Sequence, residues 1–403
     1  MTDAASDASP RRFASPTITT VLGLAMMVSF GSSYYLMGVL AEPMARGLGA
    51  DPALAFMALS GAFLISALLT GLSGRWTDRR GGREVLVCAA LMFVVALLVM
   101  ALARHPAMMV AGVLMLGCGM GIGFYGPANS LLVAIHGDEA KTPITAVSLI
   151  GAFGGAIGWP LTSWMVQTFG WQGACIGWAL LHLCVCVPLF YAVLPSARQV
   201  VPTGRGDAVQ SRVQWDVTLV RLAILFACGW WVATSMAAHL PRVLERLGLD
   251  PAQAAMAAGT MAVAAIVVRV AALLVPIMSV PTAALRVACL AHPVGGILAL
   301  TAGKALAVAV AIGQGLGNGL LSVAAGVLPL HLYGRANYGQ RQALMVMPAR
   351  FAQAAAPLMF AKVLDVSVTL GLCVTSGLCL VMLIMTLGLE RRAVVAPVSS
   401  VSV

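Results

Sequence analysis

Apolar runs of roughly 20 residues, ended by charges, prolines or polar turns, follow one another along nearly the whole chain. Twelve are read: 17–41, 54–74, 83–103, 107–134, 144–168, 171–194, 217–240, 252–279, 282–301, 304–330, 341–364 and 367–389. A helix of that length crosses ~30 Å of hydrocarbon. The runs are continuous rather than alternating, which excludes a lipid-facing β-barrel. In lipid the remaining way to satisfy the backbone is a helix. The pattern predicts an all-α integral membrane protein with twelve transmembrane helices.

Polar segments punctuate this pattern. Residues 1–16 read as a disordered tail. A signal peptide is not expected, because the first apolar run is long and no small-residue cleavage site follows it. The longest polar connection, "PSARQVVPTGRGDAVQSRVQWD" at 195–216, separates six runs from six. It predicts a first half at 17–194 and a second at 217–390, with a short tail at 391–403. A glycine repeat supports the halves. "GCGMGIGFYGPA" in run four and "GQGLGNGLLSVA" in run ten place Gly117, Gly119, Gly121 and Gly123 at an offset of 196 from Gly313, Gly315, Gly317 and Gly319. Glycines at i and i+4 allow close helix approach, and in transporters built from two repeats the substrate lies between them.

Composition agrees. The chain is 60% hydrophobic and 9% charged, whereas a soluble domain is about one quarter charged. With the N-terminus in the cytoplasm, sixteen Lys/Arg fall on the cytoplasmic side and six outside, leaving Arg269 and Arg350 within runs. The positive-inside rule therefore predicts both termini in the cytoplasm. The net charge of +10 follows from this topology and needs no nucleic-acid partner. The nine cysteines lie almost wholly in apolar runs and read as small buried hydrophobes. No nucleotide loop, Ser/His/Asp array or metal cluster appears, so no cofactor, metal or enzyme activity is expected. Arginine outnumbers lysine 21 to 3, in keeping with a GC-rich bacterium and its inner membrane.

Charge is concentrated in "GLSGRWTDRRGGREVL", 71–86. The pattern Gly74-x-x-x-Asp78-Arg79-x-Gly81-x-Arg83-x-x-Leu86 resembles the loop signature of the major facilitator superfamily, G-x-L-A-D-R-x-G-R-K-x-x-L. It departs at Trp76, Thr77 and Gly82. The resemblance implies a 6+6 fold, a loop between helices two and three, and a conformational gate formed by Gly74, Asp78, Arg79, Gly81 and Arg83. Gly74 and Gly81 suit tight approach, and Asp78 suits a helix N-terminus. The matching loop of the second half, "SVPTAALR" at 279–286, keeps only Arg286. The two gates are expected to be unequal.

Arg269 and Arg350 are the candidate substrate ligands. An ionisable group within a membrane helix is functional by default. Arg269 lies about 6 Å and Arg350 about 4.5 Å to the cytoplasmic side of their run centres. All 14 acids lie in loops or at helix ends, so the anion facing the arginines is expected to be the substrate, held by a guanidinium fork. Snorkelling or bonding to backbone carbonyls is the alternative. Basic residues in helices eight and eleven, with the helix-one patch "FGSSYYLMG", resemble the monocarboxylate and oxalate/formate antiporter branch of that superfamily. Tyr34 and Tyr35 would wall the site. The aspartate that mammalian monocarboxylate carriers place four residues before the helix-eight arginine is here Ala265, so proton symport and exchange both stay open.

Gln314, Asn318 and Asn129 are further candidates that either bind substrate or join helices. Gln314 and Asn318 share a helical face. His239 is the candidate proton-sensitive group. "GAFGGAIGWP" at 151–160 resembles the helix-five signature of proton-linked drug antiporters, but it lacks the Gly-Pro pair, and the expected helix-four arginine is Val113. The expected activity is secondary transport of a small organic anion, a mono- or dicarboxylate, by alternating access. Its partners are the lipid bilayer and a coupling proton or counter-anion, and a monomer is expected. Efflux of a drug or an arsenic-type compound is the alternative. A ligand-binding receptor or scaffold has no attached signalling domain to support it.

Overall fold

A computed structural model describes residues 16–196, 213–275 and 280–389. The expected tail at 1–16 lies outside them except for Pro16. Most of the linker, the 391–403 tail and the start of the 279–286 loop also lie outside.

Helices account for nearly all described residues. The first group is α1 (Pro16–Gly31), α2 (Met37–Gly47), α3 (Pro52–Arg80), α4 (Gly82–Ala101), α5 (Pro106–Gly123), α6 (Tyr125–His136), α7 (Lys141–Leu181) and α8 (Val187–Val193). The second is α9 (Val217–Arg246), α10 (Pro251–Leu274), α11 (Pro281–Ala302), α12 (Val308–Tyr333), α13 (Tyr338–Val366) and α14 (Val368–Thr386).

Local chemistry sets the starts. Asp51 and Asp250 each precede a proline at the first helical position and accept from Ala53 N at 2.8 Å and Gln253 N at 2.9 Å. A side-chain acceptor with a pre-set proline φ favours a helix start. Asp216 does the same for α9, accepting from Leu219 N at 2.7 Å.

Among the described residues nine helices are long and apolar enough to cross a membrane, or ten if the bent pair Tyr338–Ala356 and Leu358–Val366 is one span. The expected count was twelve. Two features explain the difference. Run one is interrupted at 32–36, and runs four to six join as the stretches Pro106–Gly155 and Pro160–Val193. Within α7, Gly170 has φ 73° and ψ 175°, so the chain turns there, in "FGWQ" at 169–172.

Within the first group α1 packs on α7, and α5 packs between α3 and α4. Within the second, α12 packs between α10 and α11, and α9 lies against α13 and α14. One core surrounds Phe93 and Trp178, and another surrounds Phe226 and Phe360. A third joins the groups, seating Val327, Leu330 and Tyr338 against residues of α1, α4, α6 and α7.

The glycine repeat is present in a different register. Gly117 and Gly121 face α3, and Gly119 and Gly123 face α4. In α12, Gly313 and Gly317 face α11, whereas Gly315 and Gly319 face α10. An offset of 196 therefore pairs glycines that face non-equivalent neighbours. Residues two apart lie on opposite sides of a helix, so a shift of two restores the match.

Candidate functional site

Two helix breaks shape the centre of the molecule. The first, at 32–36, falls in "GSSYYL". Serine hydroxyls there compete with the backbone ladder. Ser33 Oγ donates to the Ser29 carbonyl at 2.5 Å, and Tyr35 N reaches back to Phe30 O at 3.0 Å. Ser32 Oγ bonds His182 Nε2 at 2.8 Å, in a π-helical turn at His182–Cys186. The second break is at Phe124, with φ −80° and ψ −154° between α5 and α6. The breaks meet: Phe30 stacks on Phe124 with centroids 4.3 Å apart and planes 11° apart, and lies 5.2 Å from Tyr125.

These rings face a cavity of about 350 Å³ between the two groups, which Tyr34, Tyr35 and Phe63 also line. Arg269 and Arg350 both line it, and among the described residues no Asp or Glu does. Arg269, on α10, is 5% exposed. It donates to Ala265 O at 2.7 Å, Ser322 Oγ at 2.8 Å and Ser148 Oγ at 3.3 Å. Ser148 belongs to α7, so this arginine bridges the groups. Arg350, on α13, donates to Gln353 Oε1 at 3.0 Å and places its guanidinium 5.2 Å from the centre of the Phe124 ring. Its Nε is buried with no protein partner. Gln353 in turn donates to Thr234 Oγ1 at 3.2 Å, and Tyr34 lines the same cavity.

Asn129 and Asn318 line the cavity. Gln314 does not: it is buried on α12, one turn before Asn318, and is absent from the cavity wall. The i,i+4 relation put both on one face, but the cavity reaches only the later turn. His239 is also absent from the wall. It is half-buried with its ring 5.9 Å from Phe360, while Ala237 and Ala238 face the cavity instead. Gln342, Gln353, Ser148, Ser322, Thr234 and Trp230 have cavity or arginine contacts that were not singled out from sequence. A polar side chain within an apolar run was the available signal for the two glutamines.

The charged segment closes one end of the cavity. Asp78 accepts from Gly339 N at 2.9 Å and Gln340 N at 2.8 Å. It thus caps α13, far away in sequence, rather than its own helix. Gly74 lies against the same turn, where an added Cβ would fall 2.6 Å from Ala343 Cβ. Gly81 adopts φ 82° to turn α3 into α4, a conformation that glycine takes without strain. Arg79 is exposed in the last turn of α3. Arg83 stays within the first group, pairing with Glu84 at 3.2 Å and lying 5.5 Å from the Tyr191 ring centre. Gly74 and Gly339 also line the cavity, so this contact is its floor. α7 starts after Ala140 with no side-chain cap, so the two groups differ at this end.

Two packed helical groups thus enclose a cavity, and a carboxylate of one caps a helix of the other. Residues 22–357 match the Major Facilitator Superfamily. The chain belongs to that superfamily. A gallate transporter from Pseudomonas putida is 26% identical over 212 residues, which are 52% of this chain and 45% of that protein. The chain thus matches less than half of that relative's length. Solved superfamily folds superpose over more of it. The proton:xylose symporter XylE gives a TM-score of 0.75 at 13% identity, covering 91% of this chain and 94% of that one. The human organic anion transporter MFSD10 (TETRAN) gives 0.71 at 15% identity, covering 94% and 100%. The E. coli fucose:proton symporter FucP gives 0.70 at 11% identity, covering 93% and 98%.

Proposed function

We propose that this chain moves a small organic anion, a mono- or dicarboxylate, across the bacterial inner membrane by alternating access. The observation that carries the proposal is the pair of cavity arginines with no acid on the same wall. A buried guanidinium is costly unless a partner compensates it. Arg269 has hydroxyl and carbonyl partners, and Arg350 has one amide and one ring, so neither is neutralised by a protein carboxylate. An anion entering between them meets two guanidiniums and a set of aromatic walls. The gallate transporter similarity supports an organic-anion cargo.

In this reading twelve spans form two six-helix halves at 17–194 and 217–390, with both termini cytoplasmic. The Asp78 end is then the cytoplasmic side, and the described arrangement is closed there. Asp78 and Gly74 hold that closure. Gly81 sets the turn that presents them, and Arg79 and Arg83 face the anionic headgroups. The monocarboxylate and oxalate/formate branch remains the proposed placement within the superfamily.

Reconstituted protein tests the reading. Wild type should take up radiolabelled mono- or dicarboxylate into vesicles, and Arg269→Ala and Arg350→Ala should each lose that uptake while inserting normally. Undiminished uptake by the double variant would sink the proposal.

A further inference from the structure

The cavity wall is polarised in its hydrogen-bonding character. One level carries donors. Arg350 Nε and Trp230 Nε1 are buried and have no protein partner. Arg350 lies one turn before Gln353, and Trp230 one turn before Thr234. The Gln353–Thr234 bond of 3.2 Å therefore sets the two donors at the same height.

The floor carries acceptors instead. Gln342 Oε1 and Asn129 Oδ1 are buried and have no protein partner. Their orientation is fixed by their other ends. Gln342 Nε2 donates to Ala325 O at 3.2 Å. Asn129 turns its Nδ2 toward Gly326, where an added Cβ would fall 2.7 Å from it, and Gly326 O accepts from the Tyr338 hydroxyl. The two amides thus reach adjacent residues of α12, Ala325 and Gly326. On the wall, Asn318 Oδ1 is a third acceptor without a protein partner.

An amide oxygen left buried without a donor is costly. A simple carboxylate is acceptor-only and would satisfy Arg350 and Trp230 while leaving the floor unmet. The occupant must bring donors of its own. An ammonium would face two guanidiniums and no acid, so the donors are neutral hydroxyls. The cavity wall also carries the rings of Phe30, Tyr34, Phe124 and Tyr125, and aromatic side chains pair well with a flat ring. Gln342 and Arg350 are eight residues apart on α13, a rise of about 12 Å. The side chains span part of that distance, leaving space of the order of one ring.

Resting on the organic-anion reading, we infer that the cargo is a hydroxylated aromatic carboxylate. Its carboxylate is held by Arg350 and Trp230, and its ring hydroxyls point to Gln342 and Asn129 on the gate side.

Binding to the purified full-length protein tests this, with benzoate, 4-methoxybenzoate, 3,4-dihydroxybenzoate, catechol, pyruvate and oxalate as probes. 3,4-Dihydroxybenzoate should bind roughly tenfold or more tightly than benzoate or 4-methoxybenzoate, the difference a hydroxyl makes to an unmet buried acceptor. Gln342→Leu should bring that ratio toward one. Asn318→Leu, farther from the gate, should lower it if the floor variant fails to fold. Equal affinity for benzoate and its dihydroxy form overturns the inference, and so does catechol binding as tightly as the acid. Binding of pyruvate or oxalate with no aromatic acid bound overturns it too, yet leaves the organic-anion reading standing. Absence of binding by every carboxylate removes both.

Discussion

Arg269 and Arg350 carry the same charge but are differently committed. Arg269 has three protein acceptors, so much of its fork is spent on holding α7, α10 and α12 together. Arg350 has one acceptor and a ring beneath it, which leaves more of its fork for cargo. Lysine keeps the charge but loses the planar fork and the stacking. Arg350→Lys is therefore expected to weaken anion binding by about 2 kcal/mol, roughly 30-fold in Kd, as truncation of one partner in a buried charge pair does at the low end. Calorimetric titration of the variant measures this. Both arginines were legible in the sequence because charge is so rare in the runs that hold it. Gln342 and Trp230 were harder to read, since an amide at the second residue of the run 341–364 reads as a helix end and an indole reads as core. Their significance lies in one atom each that lacks a partner, which only coordinates reveal.

At the scale of elements, the long runs were readable because length and apolarity are what the bilayer demands of a helix. The breaks were not. An apolar run has the same composition whether its hydrogen-bond ladder is continuous or interrupted, and "FGSSYYLMG" differs from an unbroken helix only in serines that find local acceptors. Gln314 illustrates a smaller error of the same kind. The cavity wall includes Asn318, one turn later, and not Gln314. The loop signature was legible in full, but which helix Asp78 would cap was not written locally, because the partner turn comes some 260 residues later. Replacing one acceptor oxygen there should loosen the floor. Asp78→Asn keeps one oxygen and loses the charge that favours a helix N-terminus. In a background lacking the exposed Cys184 and Cys373, a cysteine placed at Ser130, beside Gly339, should react faster with a thiol reagent applied from the Asp78 side once Asp78 is Asn. An unchanged labelling rate would show that the bonds to Gly339 and Gln340 do not hold the closure.

On the scale of the whole molecule, both arginines touch the opposite group, Arg269 through Ser148 and Arg350 through Phe124. The groups therefore cannot separate at the Asp78 end without changing what surrounds each charge. In the proposed alternating-access cycle an empty carrier passes through its occluded state with two guanidiniums and no carboxylate on the described wall, so their desolvation is offset only by neutral acceptors and a ring. A bound anion cancels part of that cost. Vesicles preloaded with labelled anion are thus expected to empty faster into a bath containing the same anion than into plain buffer, and equal rates would refute the argument. On the proposed reading, the anion acts in kinetic terms as the counter-ion for the return stroke as well as being the passenger.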